Sequence, residues 1–284
     1  MLRNPVGGHV PVAGGLAKVG LGYARELAGE TLQVFVANPR GWATPPGSPA
    51  QDEAFRTGCA EAGLPAYVHA PYLINFGSHS EETARRSVES MRHSLRRGRE
   101  IGARGVVVHT GSATGGRSRE TALAQVRELV LPLLDELTHA DDPPLLLEST
   151  AGQGSSLCSR AEDFGPYFAA LEHHPKLGVC LDTCHIHAAG HDLAADGGVA
   201  ATLDLLVATV GEGRLGLIHA NDSKEPSGAH KDRHANIGAG HIGMGPFREL
   251  LRHPATEGVP LIIETPGGPS GHAADVELLK KLRG

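Results

Sequence analysis

At 284 residues the chain can form one large α/β domain or two small ones, and its 40% apolar and 20% charged residues exclude disordered and collagen-like classes. A net charge of −6 argues against a general nucleic-acid coat protein, whose affinity comes from neutralising phosphates, but leaves room for a local basic rim. The unusual count is 17 histidines, because imidazole is the commonest metal ligand.

A first strand is expected over Pro5–Val12, followed by Gly14-Gly15 and a helix from Leu16 to Ala28. Thr31–Ala37 alternates, is rich in β-formers, and ends in the loop signal Asn38-Pro39-Arg40-Gly41-Trp42. A helix over 51–62 stops at Gly63. The strand Ala66–Val68 ends at His69-Ala70-Pro71-Tyr72, and Ser80 opens a long helix to Ile101. Its Arg85, Arg86, Arg92, Arg96, Arg97 and Arg99 read as the solvated face of an outer helix rather than a nucleic-acid patch. Gly105–Val108 ends at His109, and the next helix, Arg119–Thr138, is broken by Asp141-Asp142-Pro143-Pro144.

Leu145-Leu146-Leu147 then runs into Glu148, and a Gly-rich loop, Ala151–Ser156, precedes a helix over Ala161–Glu172. Leu177–Leu181 is a short apolar strand that stops at Asp182-Thr183-Cys184-His185. A helix over Val199–Val210 leads to the strand Leu215–Ile218, ending at His219, and a long polar loop, Glu225–Gly243, contains Asp232-Arg233-His234. The helix Pro246–Leu251, the strand Pro260–Ile263 ending at Glu264, and the helix Ala274–Leu282 complete the chain. Strand and helix alternate about eight times with no linker, which is the rhythm of a (β/α)8 TIM barrel spanning 1–284; an open doubly wound sheet is the alternative.

In a barrel the residues that end the strands converge on one mouth, at the carboxyl ends of the strands. They are His69, His109, Glu148, Asp182 with His185, His219 and Glu264, joined by Asp232 and His234 from the loop after the seventh strand. Singly, each could cap a strand or pair with a neighbour. Together they form a cluster of imidazoles and carboxylates too costly to bury without a compensating cation. The donors suit zinc, manganese or iron in a catalytic site, and their number exceeds what one ion uses. Sites with several cations and carboxylates suit phosphodiester hydrolysis.

Two decoys stand beside this set. Gly238-Ala239-Gly240-His241-Ile242-Gly243 has the G-x-G-x-x-G form, but KDRHANI before it is no strand, so no nucleotide cofactor is expected. Cys184 beside His185 is read as buried packing rather than a nucleophile. The four cysteines fall in no repeated framework, the first residues lack a signal-peptide core, and no run approaches ~18 apolar residues, so the expectation is a cytoplasmic protein without a membrane partner.

The motifs Gly178-Val179-Cys180-Leu181-Asp182-Thr183-Cys184-His185, HAPYLIN from His69, ESTAGQG from Glu148, HANDSK from His219, and Asp232-Arg233-His234 occur in an order that resembles the endonuclease IV family of apurinic/apyrimidinic (AP) endonucleases. The resemblance implies a zinc-dependent deoxyribonuclease IV-type TIM barrel that cleaves duplex DNA 5′ to abasic sites, leaving a 3′-hydroxyl and a 5′-deoxyribose phosphate, with 3′-repair phosphodiesterase activity as well. It implies three zinc ions, with Mn²⁺ an option at one position: His69, His109 and Glu148 for the first; Glu148, Asp182, His219 and Glu264 for the second; His185, Asp232 and His234 for the third. Glu148 would bridge two ions and hold the attacking hydroxide, with Asp182 and Glu264 also catalytic. Arg40, Tyr72 and Leu73 match residues that enter the duplex, and Lys224, Arg233, Arg117 and Arg119 fall on loops at the mouth. A monomer is expected. Pro11, Thr110 and the additional His187, His191 and His241 depart from the family pattern. The rival reading is a xylose isomerase-like sugar isomerase or epimerase using Glu148, Asp182, His219 and Glu264 alone.

Overall fold

The computed structural model describes residues 4–284. Its strands and helices run β1 (Val6–His9), α1 (Leu21–Glu26), β2 (Leu32–Phe35), α2 (Pro49–Ala62), β3 (Ala66–His69), α3 (Glu81–Glu100), β4 (Val106–His109), α4 (Arg119–Asp135), β5 (Leu145–Glu148) and α5 (Phe164–Ala170). They continue with β6 (Leu177–Asp182), α6 (Thr183–Ala188), α7 (Gly198–Val210), β7 (Leu215–His219), β8 (Asp222–Ser223), β9 (His234–Ala235), α8 (Met244–Leu250), β10 (Leu261–Ile263) and α9 (Pro269–Arg283). Eight parallel strands close in the order β1-β10-β7-β6-β5-β4-β3-β2, which is the expected (β/α)8 barrel, and β8 and β9 form a separate antiparallel pair.

Alternation along each short strand sorts the side chains. Val106 and Val108, Leu145 and Leu147, and Val179 and Leu181 face the helices and belong to the main core. Tyr67, Val107, Leu146, Cys180, Leu217 and Ile262 point inward and pack into a second, smaller core inside the barrel. Moving two residues along each of these strands keeps the same face, so His69, His109, Glu148, Asp182, His219 and Glu264 form the next inward layer. Parallel register sets neighbours side by side, with His109 opposite Glu148 and Asp182 opposite His219.

Several expected boundaries shift. The first strand is Val6–His9 rather than Pro5–Val12, and the following helix begins as a wide turn over Leu16–Gly20 before α1. The short helix α6 has no counterpart in the expected elements; it starts directly after β6, where the Asp182 side chain caps it. The polar loop Glu225–Gly243 carries β9, paired back onto β8. Arg97 is a correction: it is 2% exposed, not solvated, and its guanidinium grips Asp52 of α2 at 2.6 and 2.7 Å. The other named arginines of α3 include Arg85, Arg92 and Arg99, which do make exposed ion pairs. At the seam of the barrel, Glu30 accepts from Val6 N and from Arg283, tying α9 to β1. No helix among the described residues is long and apolar enough to cross a membrane.

Candidate metal centre

Glu148 is fully buried at the centre of the inward layer, and four imidazoles surround its carboxylate. Oε2 lies 3.2 Å from His69 Nε2 and 3.4 Å from His109 Nε2. Oε1 lies 3.1 Å from His219 Nδ1 and 3.2 Å from His185 Nδ1. His219 Nδ1 is also 3.4 Å from Glu264 Oε2 and 4.0 Å from Asp182 Oδ2. On the far side Asp232 is shared by His185 Nε2 at 3.3 Å and His234 Nε2 at 3.1 Å. All nine expected donors therefore meet in one cluster. Within it, His69, His109 and Glu148 form one group able to hold an ion, and His185, Asp232 and His234 another. His219 and Glu264 group with His69 as well as lying near Glu148 and Asp182, so the boundary of the middle group is shared.

The donors come from different kinds of backbone. Six sit at or just after barrel strand ends. His185 is presented by α6, whose first turn is fixed by the bond from His185 N to Asp182 Oδ1 at 2.8 Å. Asp232 and His234 are brought back over the mouth by the β8–β9 pair, with Lys224 N donating to Arg233 O at 2.9 Å.

Three of the imidazoles are oriented as metal ligands are, with one nitrogen spent on a fixed acceptor and the other turned to the cluster. His69 Nδ1 meets Ala70 O at 2.7 Å, His234 Nδ1 meets Glu264 O at 3.1 Å, and His219 Nε2 meets Gln33 Oε1 at 2.9 Å. His234 Nε2, buried among Asp182 and Asp232, makes no hydrogen bond. An orphaned buried nitrogen facing two carboxylates suits a shared cation, so the residues fit a metal.

Electrostatics point the same way. Burial would raise the Glu148 carboxyl, but His219 and His109 hold it well below the usual carboxylate range. Burial pulls His234 down, yet Asp182 and Asp232 lift it to about 9, and His185 is raised by Asp182 and Asp232 against the same burial. Protons on imidazoles thus stand where cations would otherwise neutralise the carboxylates.

The residues expected to meet DNA lie around this mouth. Tyr72 and Leu73 are 44% and 37% exposed, large apolar side chains left in solvent. The Tyr72 ring stacks on His109 with centroids 5.6 Å apart, and Tyr72 N donates to Pro39 O at 3.0 Å, joining its loop to that of Arg40. Arg40, Lys224 and Arg233 are exposed. Arg117 and Arg119 are engaged within the fold instead: Arg117 with Ser78 O and Gln125, and Arg119 with Leu157 O and Asp163.

Both decoys dissolve. The glycine loop wraps an internal carboxylate: Asp222 accepts from Gly238 N at 2.9 Å, Ile242 N at 2.9 Å and Gly243 N at 3.1 Å. A side chain at Gly240 would strike Ser223 O and the Asp222 carboxylate, so this loop closes on Asp222 rather than on a phosphate. Burial pushes the Cys184 and Cys180 thiols up to about 12, which favours the packed thiol over a thiolate nucleophile.

Three partners of the cluster, Gln33 and Asn221 fully buried and His9 partly so, were not singled out from sequence. His9 Nδ1 lies 3.1 Å from Glu264 Oε1, Gln33 touches both Glu264 and His219, and Asn221 Nδ2 donates to Asp182 Oδ2 at 2.8 Å while its Oδ1 accepts Glu264 N. His9 carries a signal, being the strand-end imidazole of β1, but the expected strand runs past it to Val12 and hides the ending.

Residues 21–282 match the family described as a xylose isomerase-like TIM barrel. The chain is 79% identical over 281 residues to a probable endonuclease 4 of Streptomyces avermitilis, covering 99% of this chain and 91% of that one. It is 78% identical to a probable endonuclease 4 of Streptomyces coelicolor, covering 99% and 96%. Among solved structures it superposes on endonuclease IV from Thermus thermophilus with a TM-score of 0.85 at 35% identity, covering 98% of each chain. A D-tagatose 3-epimerase-like protein shares the fold alone, with a TM-score of 0.74 at 17% identity.

Proposed function

The chain belongs to the endonuclease IV family and is an AP endonuclease of DNA repair, and from that premise we propose that it hydrolyses the phosphodiester 5′ to abasic sites in duplex DNA with three divalent cations, zinc foremost. The observation that carries this reading is the position of Glu148, with one carboxylate oxygen facing His69 and His109 and the other facing His219 and His185. A single carboxylate placed in this way could hold two neighbouring cations at once. Bound cations would activate a water and neutralise the charge that gathers on the phosphate oxygens.

The chain's own residues supply the rest. His69 and His109 complete the first position with Glu148. Asp182, His219 and Glu264 complete the second, with Asp182 anchored by Asn221. His185, Asp232 and His234 form the third, with manganese an option there. Tyr72 and Leu73 stand at the rim to enter the duplex, a step that costs less at an abasic site because no base must be unstacked. Arg40, Lys224 and Arg233 offer cations to phosphates without reading sequence.

A sugar epimerase would need only Glu148, Asp182, His219 and Glu264, which leaves His69, His109, His185, Asp232 and His234 without a task. The test is nicking of a duplex carrying one abasic site, with and without chelation. Chelator-sensitive cleavage at that site, and none on the undamaged duplex, supports the reading; a chelator-insensitive or absent nick overturns it.

A further inference from the structure

We propose that Gln33, inside β2, is a positioning residue of the metal centre that fixes His219 in one tautomer and holds Glu264 beside it. This deepens the functional reading above and rests on it.

Gln33 is fully buried, yet its side chain is satisfied at both ends. Its Nε2 lies 2.9 Å from Glu264 Oε1 and 3.0 Å from His9 Nδ1, and its Oε1 lies 2.9 Å from His219 Nε2. Only one orientation of the amide suits these neighbours. An ionised carboxylate can only accept, so the amide nitrogen must face Glu264 and the carbonyl oxygen is left for His219. An imidazole whose Nε2 meets a carbonyl oxygen carries its proton on Nε2. The Nδ1 lone pair would then be free for a cation shared with Glu148 and Glu264, whose nearest oxygens lie 3.1 and 3.4 Å from Nδ1.

One amide thus sets two members of the same cation position from outside it. The side-chain hydrogen bonds of Gln33 run to Glu264, His9 and His219 and to none of Arg40, Tyr72 or Leu73, so its loss should act on one ion and not on DNA capture. The flanking residues show why it is inward: Leu32 and Val34 pack into the helix-facing core on either side.

The experiment compares zinc-loaded wild type with Gln33→Met, which keeps the length and removes the hydrogen bonds to Glu264, His9 and His219. At a buffered free zinc that keeps the wild type full, the variant is expected to hold one ion fewer, and the chelator concentration that strips that ion should fall about 10–100-fold. kcat on the abasic duplex should drop with KM little changed. Nitrogen NMR of the zinc-loaded wild type reads the tautomer without any variant, and His219 should carry its proton on Nε2. Unaltered zinc retention in Gln33→Met, or a wild-type His219 protonated on Nδ1, overturns the role of Gln33 while leaving the endonuclease reading intact. A wild type that binds no zinc and does not nick overturns both.

Discussion

Asp182 accepts the backbone N–H of His185 through Oδ1 at 2.8 Å while its Oδ2 stands 3.6 Å from His234 Nε2. One carboxylate therefore starts a helix with one oxygen and faces the imidazole cluster with the other. The two duties separate by mutation. Asp182→Ala should lose the cap, costing about 1 kcal/mol of stability, together with cleavage. Asp182→Asn keeps a capping oxygen and should unfold closer to the wild type, yet lose more than about a hundredfold in cleavage, beyond what loss of an outer hydrogen-bond partner costs a metal site. Thermal melts and single-turnover nicking separate them.

Glu148→Ala should abolish cleavage more completely than Tyr72→Ala, because in the proposed arrangement Glu148 would serve two cation positions and Tyr72 only the rim. Tyr72→Ala should retain its metals and raise KM for the abasic duplex by about tenfold, within the range of a lost stacking platform. Near-normal turnover of Glu148→Ala would remove the assignment.

The basic rim predicts a salt signature. Each of Arg40→Ala, Lys224→Ala and Arg233→Ala that removes a phosphate contact should lower the slope of log K against log salt by about 0.9. Equal slopes for all three variants and the wild type would place these cations away from the backbone. Arg117→Ala and Arg119→Ala should leave the slope alone, since both side chains are bonded within the fold.

Away from the mouth, Glu30 joins the two ends of the chain. Burial raises its carboxyl, but Arg283 outweighs this and brings it below the ordinary 4.5. A lowered folded value means the stabilisation is complete above about pH 4.5 and is lost as pH falls through the folded value. Glu30→Gln should therefore be less stable than the wild type by about 1–2 kcal/mol at pH 7, with the gap closing in acid. Chemical denaturation at both pH values measures it, and a gap that widens in acid would contradict the sign.

The strand-borne part of the centre was legible because each residue follows a short apolar run, and period-two alternation puts it on the face of the inner core. Val107 to His109, Leu146 to Glu148 and Cys180 to Asp182 all obey this step. The outer partners were not legible for the same reason turned round. Gln33 sits between Leu32 and Val34 as the polar residue of an ordinary alternation, and only the closed barrel shows that its face is the interior. Asn221 hides in a motif whose histidine draws attention. Arg97 lies among arginines that do face solvent, and a helix pattern alone does not show that α2 brings Asp52 against it. The β8–β9 pair is too short to leave a pattern, being two residues on each side.

The measurement closest to the central claim is elemental analysis of the purified protein alongside nicking of a duplex with one abasic site, before and after chelation. The account predicts about three divalent ions per chain, within the multi-cation logic of phosphodiester hydrolysis, and cleavage 5′ to the site that chelation stops and zinc restores. One ion per chain with no nicking would contradict it and return the chain to the sugar-epimerase reading of the same barrel.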